Sequence, residues 1–482
     1  MSVATANKNR IAYLHVLVMF ILMFGTGYLP PFGQISVLGM KVLGVFLGLL
    51  YGWIFIDLLW PSLFGFMALG LSGYTTITGA LATGFGNATL LLTLIVSVFA
   101  EGLNRIGVNR AIAYWLLSRK FFIGKPWFLI TGICIAAIIM GVAGGGFAAI
   151  FLLWNVVINM AELNGYAKGH RLLNMLMAFI LYGVMTGGSI VPFQGGVILY
   201  GGFFTQAMGL PLQSAPFFAL GLLYIFATIL VMILVTRFIF KIDASYFTTT
   251  AELCEEYAQK EVNQYQKVGL ILLVVYFAGL LLPEVFPQLP LMAFLKSLGV
   301  LGFSILYMVV FVVWRTPEGK PVLNLLDAFH GIPWPVIILL AVTFPLAAAM
   351  ESSEVGIMTT VNLALTPILS QLGVTALIII ATITIGILTQ FLHNVVMGAL
   401  FIPFLAPLTA NLGGNPHTLF FMIYLVLCCA YATPAGSMMA GLLFGNKDVP
   451  VKDSYLFGWL FLIVTIIILI CLMPLCNLLF TF

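Results

Sequence analysis

The chain has 482 residues, 62% of them hydrophobic and only 7% charged, with a mean hydropathy of +1.16. Soluble domains carry about 25% charged residues, so the composition excludes a soluble protein. Repeated apolar runs near the ~20 residues of a helical span exclude a membrane β-barrel. A net charge of +4, dispersed along the chain, gives no nucleic-acid footprint.

In chain order, Lys8 and Arg10 precede the apolar run from Ile11 to Phe24. This resembles a secretory leader, but no small-x-small cleavage site follows and Pro30-Pro31 ends the run. It reads as a retained first span with its N-terminus inside. Runs bounded by Gly, Pro and charge then predict spans at 11–29, 35–56, 58–73, 88–106, 172–206, 216–240, 268–283, 291–314, 333–352, 416–445 and 454–480. The polar segment 241–267 predicts a cytoplasmic connector with a surface helix. The cysteines Cys134, Cys254, Cys428, Cys429, Cys471 and Cys476 form no CxxC pair, and no HExxH occurs. Neither a disulfide frame, a zinc site nor a cofactor is indicated.

Two apolar regions, 127–160 and 373–411, fit poorly as single crossings. Each is about twice a half-membrane helix in length and has a Gly-rich or polar middle: Ala143-Gly144-Gly145-Gly146 in the first, Thr389-Gln390-Phe391-Leu392-His393-Asn394 in the second. Charge placement tests their reading. If both are re-entrant hairpins returning to their own side, 17 of the 19 cations fall inside, Lys41 and Lys296 being the exceptions. Reading 127–160 as one crossing puts Lys168 and Arg171 outside instead, so the hairpin reading is preferred.

An internal repeat points the same way. Ala100-Glu101-Gly102 is echoed by Met350-Glu351-Ser352, and the tips Gly144 and Asn394 share the same offset of 250 residues. Beyond each tip lies a long span with a helix-breaking centre, Thr186-Gly187-Gly188-Ser189-Ile190-Val191-Pro192 in one and Tyr431-Ala432-Thr433-Pro434-Ala435-Gly436-Ser437 in the other. One copy begins inside and the other outside, so the repeats are inverted, and paired Gly/Pro interruptions in two inverted halves point to a transporter's substrate site.

Broken helices present free amide N–H groups at one half-helix start, which suit a carboxylate or sulfate, and free carbonyls at the preceding end, which suit Na⁺. The competing reading is that these glycines only allow close helix packing. Within the second break, Pro434 frees a carbonyl and Thr433 offers a hydroxyl, making Thr433 a ligand candidate. Ser189 and Ser437 are further donors, although such residues often bond back to their own helix. His393 is a candidate for a coupling proton, or equally a neutral hydrogen-bonding group. Glu101 and Glu351 lie near span ends, where carboxylates are usually interfacial.

Gly86-Asn87-Ala88-Thr89, Ala399-Leu400-Phe401-Ile402-Pro403, Ala406-Pro407-Leu408, Asn415-Pro416, Ala432-Thr433-Pro434 and Phe444-Gly445 resemble the divalent-anion/sodium symporters, carriers of dicarboxylates, citrate or sulfate. The resemblance covers most of the chain. It implies a homodimer whose protomers each have a scaffold domain and an elevator-like transport domain. It also implies a Ser-Asn-Thr signature at each hairpin tip. Here the first tip aligns with Ala143-Gly144-Gly145, and the second, His393-Asn394-Val395, keeps only the Asn. By this resemblance Thr389, Leu392, Asn394 and the Ala432 carbonyl form one sodium site, and backbone carbonyls near Gly187 and Gly188 form the other. Gly144, Gly145, Gly146, Ser189, Asn394, Val395, Thr433, Pro434 and Ser437 are the implied substrate contacts.

The sequence thus predicts an all-α integral membrane protein with about eleven transmembrane helices plus two re-entrant helical hairpins in two inverted repeats, an elevator-type transporter of the cell membrane. Residues 1–56 are expected to form N-terminal scaffold spans, 57–240 and 268–482 the two repeats, and 241–267 the linker. The expected activity is secondary active transport of a small organic or inorganic anion coupled to Na⁺. Alternatives are an H⁺-coupled symporter, an anion exchanger or a cation/H⁺ antiporter of the same fold. An intramembrane enzyme requires paired acids or a metal cluster at membrane depth, and the sequence offers neither.

Overall fold

A computed structural model describes residues 3–167, 169–248, 262–315, 321, 323–330, 332, 334–434, 436–446 and 449–482. Residues 249–261, which include the expected surface helix and Lys260, lie outside this set, as do Lys168, Lys320, Ala435 and Lys447. The regular secondary structure of the described residues is helical apart from one isolated bridge, Arg315 to Pro321.

Among the described residues, ten helices are long and apolar enough to cross a membrane, or eleven if Ile77–Phe85 and Ala88–Leu103, bent by 50°, count as one span. The total is close to the expected eleven, but its membership differs. The expected span 58–73 is a 14-residue helix, Leu59–Ser72, stopped by Gly73 in the left-handed region at φ 90°. Its rise is about 21 Å, short of the ~30 Å hydrocarbon layer. The expected spans 172–206 and 416–445 are each two helices, Arg171–Ser189 with Gly195–Met208, and Pro416–Leu427 with Met438–Gly445.

The first break also sits later than the sequence suggests. Thr186 to Ser189 remain helical, and the chain leaves the helix at Ile190. Pro192, which lacks an N–H and disfavours helix before it, sets the break, while the glycines before it serve packing. A Cβ on Gly187 would lie 2.3 Å from the Ile138 carbonyl oxygen, and one on Gly141 would lie 2.0 Å from that of Val184. Helix Arg171–Ser189 therefore runs backbone against backbone with the first hairpin.

Both hairpins are helix–turn–helix units: Pro126–Val142 with Gly146–Leu163, and Val374–Leu388 with Asn394–Asn411. One arm of each hairpin is longer than the half-membrane helix expected. Gly146–Leu163 and Asn394–Asn411 have 18 residues each and pass as spans on length and composition, since 18 residues rise about 27 Å.

Matching local signals start the two broken segments. His170 caps Arg171–Ser189 by accepting from the Leu172 N–H at 3.2 Å. Asn415 caps Pro416–Leu427 by accepting from the His417 N–H at 2.9 Å, with Pro416 at the first helical position. These helices form the protein's centre. All twelve residues of Pro416–Leu427 are buried, as is 83% of Arg171–Ser189, against 17% of Ile11–Tyr28. A helix that is apolar all round must be enclosed, and these two are enclosed by the hairpins and by each other's neighbours. Helix Gly195–Met208 packs on Asn394–Asn411, so the second half of the first broken segment leans on the second hairpin. The N-terminal helices dock elsewhere: the Ser36 N–H donates to the Val355 carbonyl at 3.1 Å, and the Ser36 hydroxyl to that of Glu354 at 2.6 Å.

Candidate binding site at two hairpin tips and two helix breaks

Both tips and both breaks open onto one cavity of about 370 Å³. Gly144 and Gly146 come from the first tip, and Asn394 and Val395 from the second. Gly188, Ser189 and Gln194 to Gly196 come from the first break, and Cys428 and Tyr431 from the second. Tyr200 and Tyr424 complete the wall.

The first tip is shaped by backbone conformation. Gly144 and Gly146 adopt φ of 78° and 46°, which a side chain makes unfavourable by about 1–2 kcal/mol. Gly146 faces open space, with nothing within 4 Å of the place its Cβ would occupy. The Gln194 side chain donates from Nε2 to the Val142 carbonyl at 2.5 Å, tying the first break to the end of the first hairpin arm.

At the second tip the amide clamp is Gln390, which is fully buried. Its Nε2 donates to the carbonyls of Gly386 at 2.9 Å and Cys429 at 3.1 Å, and its Oε1 accepts from the Ala432 N–H at 2.8 Å. The Thr433 hydroxyl donates to the Gln390 carbonyl. Ser437 then closes the loop, donating to the Ala430 carbonyl at 2.8 Å and accepting from the Ala440 N–H at 3.1 Å. The chain between Cys428 and Ser437 is thus wrapped around the second tip.

Of the residues singled out from sequence, Gly144, Gly146, Gly188, Ser189, Asn394 and Val395 share the cavity wall. Gly145, Gly187, Thr389, Leu392, His393, Ala432, Thr433, Pro434 and Ser437 lie behind or beside it. His393 caps Asn394–Asn411, its Nδ1 accepting from the Val395 N–H at 3.3 Å. Ser189 bonds back to the Met185 carbonyl at 2.9 Å while facing the cavity. Thr389 is fully buried and its hydroxyl has no hydrogen-bond partner among the described residues. An orphaned polar group of this kind costs about 1–3 kcal/mol, which a coordinated cation offsets.

Sequence reasoning missed Gln194, Gln390, Tyr200, Tyr424 and Cys428 as site residues. The two glutamines carried a readable signal, being amides inside otherwise apolar breaks. Tyr424, Cys428 and Tyr431 also follow an i, i+4, i+7 pattern.

Three helices, Gly146–Leu163, Gly195–Met208 and Asn394–Asn411, begin at this cavity. Helix N-termini bring unpaired N–H groups and partial positive charge. Helices ending at Ser189 and near Cys428 bring carbonyls. No Lys, Arg or His side chain lines the cavity among the described residues. The arrangement suits an anion held by main-chain dipoles, with a cation near carbonyl ends.

The Thr433→Val variant removes one hydroxyl from this framework at nearly constant volume. It is expected to lower both the melting temperature of the purified protein and its rate of transport, because the buried Gln390 carbonyl loses its donor; Thr433→Ser restores both. Wild-type melting for the Val variant removes Thr433 from the clamp.

A citrate transporter family profile matches residues 42–395. The chain belongs to this family. Its curated relatives are membrane transporters and not enzymes. Solute carrier family 13 member 4 of Homo sapiens is 28% identical over 28% of this chain and 21% of its own length. Sodium-dependent high-affinity dicarboxylate transporter 3 of Caenorhabditis elegans is 27% identical over 26% of this chain and 22% of its own. The Na⁺/dicarboxylate cotransporter 3 of Rattus norvegicus is 28% identical over 32% and 25%. The matched segment therefore spans about a quarter of the length of these relatives. Among solved structures, the YdaH transporter of Alcanivorax borkumensis superposes with a TM-score of 0.60 at 13% identity, covering 83% of this chain and 87% of that one. MtrF of Neisseria gonorrhoeae superposes with a TM-score of 0.54 at 18% identity, covering 82% and 83%. These two likenesses concern the fold.

Proposed function

We propose that this member of the citrate transporter family is a secondary active transporter of a carboxylate-bearing organic anion, of the di- or tricarboxylate class, with Na⁺ as the coupling ion. The observation that carries the reading is the single cavity at which three helix N-termini meet two carbonyl ends, with no cationic side chain in its wall. Anion recognition there falls to main-chain N–H groups and the Asn394 side-chain amide. Sodium coupling is supported by the sodium dependence in the names of two relatives and by the orphaned Thr389 hydroxyl, next in the chain to Gln390, whose Oε1 accepts from the Ala432 N–H.

Element order supports an inverted repeat. Ala88–Ile106, Val108–Leu117, the first hairpin and the first broken segment recur 243 to 249 residues on as Trp334–Glu351, Ile357–Leu372, the second hairpin and the second broken segment. Such a repeat fits alternating access in which the hairpins and broken segments move as one elevator body. Residues 1–56 and their docking partners then act as scaffold, in a homodimer with cytoplasmic N-termini.

Proteoliposomes given imposed gradients test the coupling. An inward Na⁺ gradient is expected to drive concentrative uptake of labelled succinate or citrate, and a pH gradient alone is not. Uptake driven by the pH gradient alone transfers the coupling to H⁺. Flux that ignores both gradients and needs internal anion makes the protein an exchanger.

A further inference from the structure

The walls of the cavity away from the helix N-termini are apolar and aromatic. Tyr200, Tyr424 and Tyr431 face it together with Leu199, Val96 and Val184. The Tyr200 and Tyr424 rings lie 5.3 Å apart, tilted by 60°. Tyr200 is fixed in place, because Gly398 of the second hairpin lets its ring lie against the helix backbone: a Cβ there would come within 2.1 Å of the ring. The Tyr200 hydroxyl is buried without a hydrogen-bond partner among the described residues.

These features disagree with a ligand that is charged over its whole surface. A carboxylate at the N-termini is compensated by N–H dipoles, but a carboxylate against the tyrosine wall is not, and an uncompensated buried charge costs far more than contact returns. A volume of about 370 Å³ also falls within the range of ~300–1,000 Å³ that holds drug-sized ligands. Resting on the anion-transport reading above, we propose that the ligand of this site is amphipathic: carboxylate at one end, with an apolar body of about the size of an aryl ring at the other. The carboxylate end lies at Gly146, Gly195 and Asn394. The apolar end lies against Val96, Val184 and Leu199, beside the Tyr200 and Tyr424 rings, which pack on each other at 5.3 Å and leave no gap for a third between them.

Matched ligands test this first on the intact wild-type protein. Succinate, citrate, 2-benzylsuccinate and 3-phenylpropionate are titrated in the presence of Na⁺, and the concentration giving half-maximal thermal stabilisation is read for each. The expected result is that 2-benzylsuccinate acts at a concentration at least about ten-fold below that for succinate, since the added ring is removed from water. Labelled 2-benzylsuccinate is also expected to undergo counterflow in proteoliposomes, and Val184→Thr, which makes the apolar wall polar at nearly constant volume, to weaken its effect several-fold. Succinate or citrate acting as well as the ring-bearing acids overturns the amphipathic ligand and leaves anion transport standing. A ring preference that Val184→Thr does not alter overturns the placement in this cavity. If none of the four acids stabilises the protein or is transported, the anion-transport reading falls as well.

Discussion

Replacing Gln390 with Leu is expected to abolish transport and remove most of the folded protein from a detergent extract. The substitution keeps the volume of the side chain but strips the Ala432 N–H and the Cys429 carbonyl of their partners. Two buried main-chain groups left unpaired at about 1–3 kcal/mol each destabilise by about 2–6 kcal/mol, a large share of a typical folding free energy of about 5–15 kcal/mol. No water is at hand to substitute, because Gln390 is fully buried. The loss is also directed at function: these bonds are the ones that hold the second break against the second tip, and without them Asn394 and Cys428 no longer face a common space. Gln390→Glu fares no better, since a carboxylate has no donor for the carbonyls of Gly386 and Cys429. A control is Gln213→Ala. Gln213 bonds to the exposed C-terminal Thr481 main chain, and its loss is expected to stay within about 0.5 kcal/mol, as for ordinary surface changes. Monodispersity by size exclusion and initial uptake rates separate the two variants; equal behaviour removes Gln390 from the framework.

The hairpin and break positions were legible in the sequence because they depend on local chemistry. Gly144 and Gly146 at the first tip, Pro192 after the first helix and Pro434 within the second break each carry a backbone signal that does not depend on tertiary contacts. The membership of the span list was less legible. Leu59–Ser72 and Pro416–Leu427 are as apolar as true spans, yet are 14 and 12 residues long, and only Gly73 and the chain beyond Leu427 end them. Hydropathy measures what a helix buries, and a helix enclosed by protein reads the same as one enclosed by lipid. The site was legible to the same extent. The sequence marks which segments break, so both tips and both breaks were expected to meet. It does not say which side chains of a break turn inward. Thr433 and Ser437 look like ligands in the sequence and are spent on holding the loop. Tyr200 and Tyr424 look like ordinary span residues, and their role emerges only when two segments more than 200 residues apart are packed together.

Four alanine substitutions at glycines are expected to give three different outcomes, which separates glycines that pack from glycines that face a ligand. Gly141→Ala is the most damaging. Its methyl would lie 2.0 Å from the Val184 carbonyl oxygen, and both groups belong to main chain within helices, so no side chain can rotate aside. The first hairpin must move off the first broken segment by more than an ångström, which opens a core where dispersion contacts fall off steeply with separation. Folded yield is expected to collapse, and Gly187→Ala to follow it, with its Cβ 2.3 Å from the Ile138 carbonyl. Gly146→Ala meets no atom within 4 Å but must adopt φ of 46°. Its cost is conformational, about 1–2 kcal/mol, and a folded but less stable protein is expected. Gly195→Ala meets neither obstacle, having open space around it and no left-handed backbone. It is expected to fold with wild-type melting while placing a methyl group in the cavity at the start of Gly195–Met208, so ligand affinity alone shifts. Melting temperature and ligand titration on the same four variants check the pattern. Should Gly195→Ala leave every ligand's affinity unchanged, the cavity is not where the anion binds. Should Gly141→Ala and Gly187→Ala fold normally, the close backbone contact between hairpin and broken segment is not what holds the first tip in place.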